Sequence, residues 1–271
     1  MPELPEVETA RRGIAPHLEG RRIERLTVRD RRLRWPVPAG LEGEVRGQTV
    51  LAVDRRGKYL LLRTASGTLI LHLGMSGSLR VVGAADPPAT HDHLDLVVEG
   101  GTALRLTDPR RFGCLLWTRG DPARHPLIAT LGPEPFDAAF SGEYLFRLSR
   151  GRRCAVKAFL MDGHVVTGVG NIYASESLFL AGIHPARAAG RVARTRYGRL
   201  AEAVRTVLGE AIRAGGTTLQ DFVGADGRPG HFSRQLRVYD REGEPCGVCG
   251  HLLRRRVIAQ RAAFFCPRCQ R

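Results

Sequence analysis

The first twenty residues place apolar side chains at the spacing of an α-helix. These side chains recur every three or four positions, at Val7, Ala10, Ile14 and Leu18, which puts them on one face of a helix. Pro2 and Pro5 stand at its start, where proline is tolerated because the first turn has no intrahelical N–H bond to lose. The pattern predicts a helix that begins within a few residues of the N-terminus.

From about residue 22 to residue 131 the pattern changes to short apolar runs separated by Gly, Pro and Asp. The runs include TVLAVDRR, YLLLRT, TLILHLG, SLRVVG, LDLVVEG and GCLLWT. Runs of this length, bounded by turn formers, are typical of β-strands, and many in succession indicate a β-sandwich. We therefore predict an N-terminal domain, residues 1–131, made of a helix and a β-sandwich.

The second half of the chain is predicted to be mainly helical. Residues 132–150 begin with the turn formers of GPEPFDAAF and are expected to be an interdomain linker. Beyond them AVKAFLMD, YASESLFLAG and TRYGRLAEAVRTVLGEAIRAGG each run into Gly or Asp-Gly, as helix ends commonly do. The chain is expected to be α+β, with a helical domain at 151–234 and a strand-containing piece at 235–271.

The net charge of the chain bears on which kind of molecule it binds. Its 271 residues carry 42 Lys and Arg against 27 Asp and Glu, a net charge of +15. Nucleic acid is a more natural partner for such a chain than a small neutral metabolite, although a basic surface without such a partner explains the charge equally well. Because there is no signal-type or membrane-length apolar stretch, we expect a soluble cytoplasmic protein with no membrane partner.

Four cysteines near the C-terminus have the spacing of a metal site. They form two C-x2-C pairs separated by sixteen residues, namely Cys246, Cys249, Cys266 and Cys269. This spacing lets four thiolates converge on one structural Zn²⁺. The other two cysteines, Cys114 and Cys154, are expected to be inert core thiols and not a disulfide. Between the two pairs, LLRRRVIAQRAAFF predicts a basic β-hairpin suited to a DNA groove, or else a solvated basic face.

Pro2 is a candidate nucleophile. Removal of Met1 would leave a secondary α-amine with a pKa of about 8, against about 10.4 for Lys, so roughly two hundred times more of it is neutral at pH 7. Its attack on a sugar C1′ would give an iminium that acidifies the C2′ hydrogens, and strand cleavage by elimination can follow. Glu3 could move protons there, with Glu6 one helical turn further on. In isolation, however, Pro-Glu is equally a good helix opening.

Long motifs distributed over the whole chain resemble one known family. They are PELPEVE, RRGKYLLL, HLGMSGSLR, HDHLDL, TDPRRFG, LGPEP, VGVGNIYASESLF, GGTTLQDF and AQRAAFFCPRCQ. In this order they resemble the bacterial formamidopyrimidine-DNA glycosylase family. The resemblance implies a monomer with a helix-two-turn-helix element and a zinc-finger hairpin. It also implies excision of oxidised purines, 8-oxoguanine and formamidopyrimidines, from double-stranded DNA, and cleavage of abasic sites by β,δ-elimination.

The same resemblance assigns roles to residues. Pro2 would be the nucleophile, Glu3 the acid that assists opening of the sugar ring, and Lys58 a cation beside the phosphates. The side chains that would fill the gap left by the extruded base are Met75, Arg110 and Phe112. Further DNA contacts would come from His91, Lys157, Asn171 and Arg261, with Arg110 facing the orphaned cytosine. Gly168 and Gly170 would form the phosphate-binding turn before the helix, and Glu176 would be structural.

Two departures and two alternatives accompany this resemblance. Lys157-Ala158-Phe159 replaces the Lys-Pro-Trp of relatives, and the loop at 222–231 allows no carry-over of base contacts. The sister enzymes of the endonuclease VIII type remove oxidised pyrimidines and typically begin with PEGPE. The PELPE start of this chain favours purines instead. A zinc-containing DNA-binding module without catalysis is the alternative from another class.

Overall fold

The computed structural model describes residues 2–217 and 232–271. The chain forms two compact units, Met1–Ala129 with Ile212–Ser233 and Thr130–Ala211 with Arg234–Arg271. Residues 132–150, expected to be a linker, belong to the second unit and contain the helix Gly142–Ser149. The first unit combines the N-terminal residues with a segment that begins more than two hundred residues later, which no local sequence pattern indicated.

The first unit is built from antiparallel strands and the N-terminal helix. Its helices are α1 (Leu4–Leu18), α2 (Leu41–Val45) and α3 (Pro126–Ala129). Its strands are β1 (Ile23–Val28), β2 (Ala52–Arg56), β3 (Tyr59–Arg63), β4 (Thr68–His72), β5 (Ser78–Gly83), β6 (Asp92–Val98), β7 (Thr102–Thr107) and β8 (Cys114–Thr118). They form two four-stranded sheets with the orders β1-β6-β7-β5 and β2-β3-β4-β8.

One hydrophobic core joins both sheets to α1. Alternate residues of the strands enter it, for example Leu60 and Leu62 from one sheet and Leu94 and Leu96 from the other, because side chains at positions i and i+2 of a strand share a face. The apolar face of α1 is at most 1 % exposed at Val7, Ala10, Ile14 and Leu18. The predicted helix and β-sandwich are therefore confirmed.

Two loops cross from one sheet to the other side by side. Residues 73–77 leave β4 and enter β5, and residues 108–113 leave β7 and enter β8. His72 at the end of β4 pairs with Cys114 at the start of β8, while Ser78 at the start of β5 pairs with Thr107 at the end of β7. The two loops, called here the crossing loops, therefore span the same gap between the sheets.

The second unit carries the helical region and the hairpin. The helices that follow α3 are α4 (Gly142–Ser149), α5 (Val156–Leu160), α6 (Asn171–Leu180) and α7 (Arg194–Arg213). The hairpin consists of β9 (Arg254–Ile258) and β10 (Arg261–Phe265). The helices expected from AVKAFLMD, YASESLFLAG and the long TRYGRL segment are confirmed, as is the hairpin between the cysteine pairs. Within the described ranges, no helix has the length and apolar character needed to cross a membrane.

The two cysteines outside the terminal pairs differ from one another. Cys114 is buried, and burial raises its pKa to about 12, so it is the inert core thiol that was expected. Cys154 is exposed, and its assignment to a core was wrong. It lies between the end of α4 and the start of α5, where the chain turns at the surface.

Candidate active site and metal centre

Pro2 and Glu3 stand at the beginning of α1. Glu3 is the N-cap residue, and its backbone N–H donates to Glu6 Oε2 at 2.8 Å. Pro2 is buried and Glu3 is 2 % exposed. The free N–H groups and dipole of a helix N-terminus favour a carboxylate at such a position. The candidate nucleophile and candidate acid are thus adjacent in a buried, anchored segment.

Glu6 anchors this segment. Its Oε1 accepts hydrogen bonds from the backbone N–H of Thr217 at 2.8 Å and from the Thr217 hydroxyl at 2.9 Å, while its Oε2 holds Glu3. The approach is close, because a Cβ on Gly216, whose φ is +80°, would lie 3.0 Å from Glu6 Oε1. Both oxygens of Glu6 are therefore used to hold the chain, and the carboxylate that spacing offered as a second acid has a structural role.

Lys58 lies in the two-residue turn between β2 and β3. Gly57 precedes it with a φ of +58°, which a β-branched or bulky residue would adopt only with strain. Arg55 donates to the carbonyl of Gly57 at 2.9 Å and to Glu8 Oε2 at 3.2 Å. Glu8 sits on α1, so a hydrogen-bonded chain connects the helix that begins at the candidate nucleophile to the turn that carries Lys58.

The carboxylate of Glu8 is the charged centre of this connection. Although burial raises its pKa, hydrogen bonds from Arg11 and Arg12 and the nearby charge of Arg55 lower the pKa to about 2. Glu8 is therefore ionised at any physiological pH and keeps its arginine partners.

His72, which pairs with Tyr59 across strands β3 and β4, is neutral at physiological pH. Burial has the largest effect on its pKa, and the positive charges of Lys58 and Arg34 add to it; together they lower the pKa to about 4. Its Nδ1 accepts a hydrogen bond from the backbone N–H of Gly74 at 2.9 Å, which requires that nitrogen to be unprotonated. The ring thereby fixes the first residues of the crossing loop that carries Met75.

The candidate gap-filling residues lie on the two crossing loops. Phe112 is 40 % exposed, and the guanidinium carbon of the exposed Arg110 lies 4.8 Å from the centre of its ring. Met75 is half-buried and outside the core of the sandwich. His91 is exposed just before β6, and its carbonyl accepts from the backbone N–H of Asp108 at 3.0 Å. The structure therefore brings these predicted residues to neighbouring loops of the first unit.

Asn171 is the first residue of α6 in the second unit. It follows Gly170, and its Nδ2 donates to the hydroxyl of Tyr239 at 3.3 Å. Its Oδ1 is buried and has no hydrogen-bond partner within residues 2–217 and 232–271. Gly168 has a φ of +86°, a conformation that glycine adopts freely. Tyr239 was not singled out from the sequence, since a lone tyrosine before the cysteine pairs carries no distinctive pattern.

Glu176 has the structural role expected for it. It is fully buried on α6 and accepts three backbone N–H groups at 2.9 Å each, from Arg237, Val238 and Tyr239. Burial raises its pKa, while these hydrogen bonds oppose the rise. Glu176 thus ties the segment before the cysteines, and with it Tyr239, to the helix that begins at Asn171.

Lys157 and Arg261 are joined through the hairpin. Lys157 is 1 % exposed, and its ammonium donates to the carbonyl of Ala262 at 2.6 Å. Arg261 is the exposed first residue of β10, directly after a tight turn in which Ala259 and Gln260 both have positive φ. Lys157 therefore holds the residue beside Arg261, and its direct contact with DNA stays a prediction.

The four terminal cysteines form a metal site. Their Sγ atoms all lie within 4.8 Å of one another, with 3.9 Å between Cys246 and Cys269 and 3.5 Å between Cys249 and Cys266. Four thiolates bound tetrahedrally at about 2.3 Å to one zinc ion would be about 3.8 Å apart, so the donor set fits. The backbone N–H of Cys266 donates to the side chain of Gln270 at 2.8 Å, which orients one of the ligands.

Three family models cover most of the chain. They describe the formamidopyrimidine-DNA glycosylase N-terminal domain at residues 1–115, the formamidopyrimidine-DNA glycosylase H2TH domain at residues 131–223, and a zinc finger found in FPG and IleRS at residues 243–271. The last of these contains all four cysteines of the metal site. The predicted helix-two-turn-helix region and zinc finger are thereby confirmed.

Full-length relatives carry the same name. Formamidopyrimidine-DNA glycosylase from Alkalilimnicola ehrlichii is 65 % identical over 100 % of both chains, and that from Stutzerimonas stutzeri is 60 % identical over 100 % of both. Among solved structures, the MutM (Fpg) protein of Thermus thermophilus matches with a TM-score of 0.89 and 42 % identity, covering 99 % of this chain and 98 % of that one.

A mutant of Lactococcus lactis FPG in complex with DNA containing Fapy-dG matches with a TM-score of 0.93 and 31 % identity over 100 % of both chains. The full-length relatives are named as enzymes and the similarity includes the glycosylase N-terminal domain, which excludes the alternative of a DNA-binding zinc module without catalysis. The chain belongs to the formamidopyrimidine-DNA glycosylase family of enzymes.

Proposed function

We propose that the protein is a bifunctional DNA glycosylase and abasic-site lyase that removes oxidised purines, 8-oxoguanine and formamidopyrimidines, from double-stranded DNA. The observation that carries this proposal is the position of Pro2 and Glu3, both buried at the beginning of α1. Buried groups with restricted placement are suited to nucleophilic and acid-base catalysis.

In the proposed reaction the amine of Pro2, freed by removal of Met1, attacks C1′ of the damaged nucleotide. The bond from C1′ to the base breaks, and the base leaves with its electron pair and the amine proton. In the same step Glu3 donates a proton to the ring oxygen, so that the bond from C1′ to that oxygen opens as the base departs, which leaves an iminium on Pro2. Loss of a C2′ proton expels the 3′ phosphate, loss of a further proton expels the 5′ phosphate, and water releases the sugar fragment.

The remaining predicted residues have supporting roles. Lys58, on its fixed turn, would neutralise a phosphate beside the reacting sugar. The gap left by the extruded base would be filled by Met75, Arg110 and Phe112. Arg110 and Phe112 are exposed on a crossing loop, and Met75, on the other crossing loop, lies outside the core of the sandwich. The N-terminus of α6 at Asn171 would bind a phosphate that flanks the lesion. The exposed Arg261 would also bind a DNA phosphate, and His91 would contact the DNA backbone.

The lesion preference is tested by comparing substrates directly. Solved complexes of Lactococcus lactis Fpg contain Fapy-dG, an abasic site and an oxidised pyrimidine, so a preference for purines has to be measured for this chain. We expect single-turnover excision of 8-oxoguanine opposite cytosine to be at least about tenfold faster than excision of an oxidised pyrimidine. Equal or reversed rates would favour an activity of the endonuclease VIII type.

The metal site predicts the behaviour of Cys249→Ser. We expect this variant to lose its one zinc ion and to bind duplex DNA about tenfold more weakly, because the hairpin loses the ion that folds it, while the β-sandwich stays intact. Zinc content by atomic absorption and a binding titration check this. The control is Cys154→Ser, an exposed cysteine outside the cluster. Wild-type protein without zinc would contradict the prediction.

The exposed position of Arg261 predicts how the hairpin binds DNA. Arg261→Ala is expected to weaken binding to damaged and undamaged duplex equally and to lower the slope of log affinity against log salt by roughly one, because a phosphate contact carries no sequence information. The control is Arg194→Ala, which removes an exposed arginine paired with Glu143. If only lesion-containing duplex were affected, Arg261 would be reading the lesion.

A further inference from the structure

The two crossing loops are joined through the buried carboxylate of Asp108. This side chain is 0 % exposed, and its Oδ1 accepts a hydrogen bond from the hydroxyl of Ser76 at 3.0 Å. Its Oδ2 accepts from the backbone N–H of Gly113 at 2.8 Å. Ser76 directly follows Met75, and Gly113 directly follows Phe112. One carboxylate therefore fixes the residues next to candidate gap-filling side chains on both loops.

The backbone of Asp108 is fixed as well. Its carbonyl oxygen accepts from His93 Nε2 at 2.7 Å, and that histidine is 3 % exposed. The same carbonyl accepts from the backbone N–H of Arg111 at 3.2 Å, which closes a turn over the intervening Pro109 and Arg110. Asp108 is thus held by the sandwich while it holds the loop that follows it.

The backbones of the two loops also pack closely against one another. A Cβ on Gly74 would lie 2.3 Å from the carbonyl carbon of Phe112, and a Cβ on Gly113 would lie 2.6 Å from the carbonyl oxygen of His72. Contacts this short require glycine at both positions. The loops therefore pack directly against one another with their backbones.

The loop at 108–113 also contains a strained residue. Arg111 has a φ of +56°, in the left-handed region that non-glycine residues seldom adopt without compensation. Its guanidinium pairs with Asp30 at 3.3 Å. Because Arg111 lies between Arg110 and Phe112, this conformation sets the directions in which both side chains leave the backbone.

We propose that Asp108 and Ser76 are positioning residues that hold Met75, Arg110 and Phe112 as one preformed gap-filling unit. This inference rests on the proposed function. Side chains that are already ordered lose less conformational freedom when they enter the DNA, so a preformed unit speeds extrusion of the base and sharpens recognition of the opposite base by Arg110. Neither Asp108 nor Ser76 needs to touch the DNA.

The test uses Ser76→Ala, which removes one of the two hydrogen bonds described for the carboxylate of Asp108. Its matched control is Thr64→Val, since the buried hydroxyl of Thr64 also makes one 3.0 Å hydrogen bond in the same unit, to the carbonyl of Gly67. Relative to this control, Ser76→Ala should lower single-turnover excision of 8-oxoguanine opposite cytosine by a factor of about 2 to 10, as for one lost hydrogen bond. It should also reduce the preference for cytosine over adenine as the opposite base.

Two further variants separate positioning from general destabilisation. If Ser76 acts through the unit that contains Arg110, the loss caused by Ser76→Ala should largely disappear in an Arg110→Ala background, so the two effects are not additive. Asp108→Asn keeps an acceptor for Gly113 and can donate to the Ser76 hydroxyl, so it should stay within about twofold of wild type. Additive losses, or a Ser76→Ala variant that equals Thr64→Val, would overturn the inference.

A measurement without DNA keeps the inference separate from the proposed function. Amide hydrogen exchange of the free protein should become faster at residues 73–77 and 108–113 in Ser76→Ala but not in Thr64→Val. Unchanged exchange there would overturn the inference even if every activity were present. A wild-type protein that excises no lesion would instead overturn the proposed function, while the exchange data would still decide whether Asp108 and Ser76 hold the loops together.

Discussion

Glu3→Gln is expected to lower excision of 8-oxoguanine by about a hundredfold or more, because the variant keeps the size of the side chain but removes the proton that it donates to the sugar. Glu3 is 2 % exposed at the start of α1, where water cannot easily replace it as an acid. The measurement is a single-turnover excision rate on a lesion-containing duplex, with Glu24→Gln, an exposed acid on β1, as the control.

The same variant should separate excision from strand cleavage. A duplex that already lacks the base needs no base departure, and the amine of Pro2 remains able to form the iminium. We therefore expect Glu3→Gln to lose much less of the wild-type rate in nicking an abasic duplex than in excising 8-oxoguanine. Equal losses on both substrates would mean that Glu3 is needed for the attack or the elimination itself.

Pro2→Gly is expected to reduce borohydride trapping of the protein on 8-oxoguanine duplex by about a hundredfold. Glycine still offers an amine after removal of Met1, but a primary one on a more freely moving chain end, and misplacement of a reacting group by about 1 Å can cost that much. The measurement is the yield of covalent adduct together with mass mapping, which should locate the adduct in the N-terminal peptide.

Pro5→Ala is the matched control for this result. It replaces a proline of the first turn of α1 without altering the nucleophile, so trapping should persist. An adduct that mapped to Lys58 or Lys157, with Pro2→Gly fully active, would show that a lysine and not the terminal amine forms the intermediate.

Much of the fold was predictable because its elements have local causes. Apolar positions recur with helical periodicity in α1 and in short runs in the strands of the sandwich. The spacing of the C-x2-C pairs alone predicts the metal site. The interpretation of residues 132–150 as a linker did not take Ser141 into account. The hydroxyl of Ser141 accepts a hydrogen bond from the backbone N–H of Tyr144 at 3.1 Å and caps the N-terminus of α4. An N-cap serine after a run of turn formers is a usable signal.

Several contacts that fix the candidate site join distant segments and could not be predicted. Glu6 and Thr217 are 211 positions apart, and Ser76 meets Asp108 only because β4, β5, β7 and β8 bring their connecting loops together. The hydrogen bond from the ammonium of Lys157 to the carbonyl of Ala262 joins residues 105 positions apart, while the DNA contact that the resemblance implies for Lys157 stays a prediction. No periodicity or spacing contains such pairings, because they depend on how distant segments pack. The expected loop at 222–231 lies outside the described residues.

The hydrogen bonds between Glu6 and Thr217 have a consequence for how the chain folds on the ribosome. Thr217 lies 88 residues beyond Ala129, where the first stretch of the N-terminal unit ends. At the usual speed of synthesis these residues take about 4 to 18 s to appear. During that interval the β-sandwich can collapse, but the Glu6 carboxylate lacks two of its donors. A nascent chain arrested after the sandwich should therefore have an N-terminus that proteases cleave readily, and protection should appear only once Thr217 has left the exit tunnel.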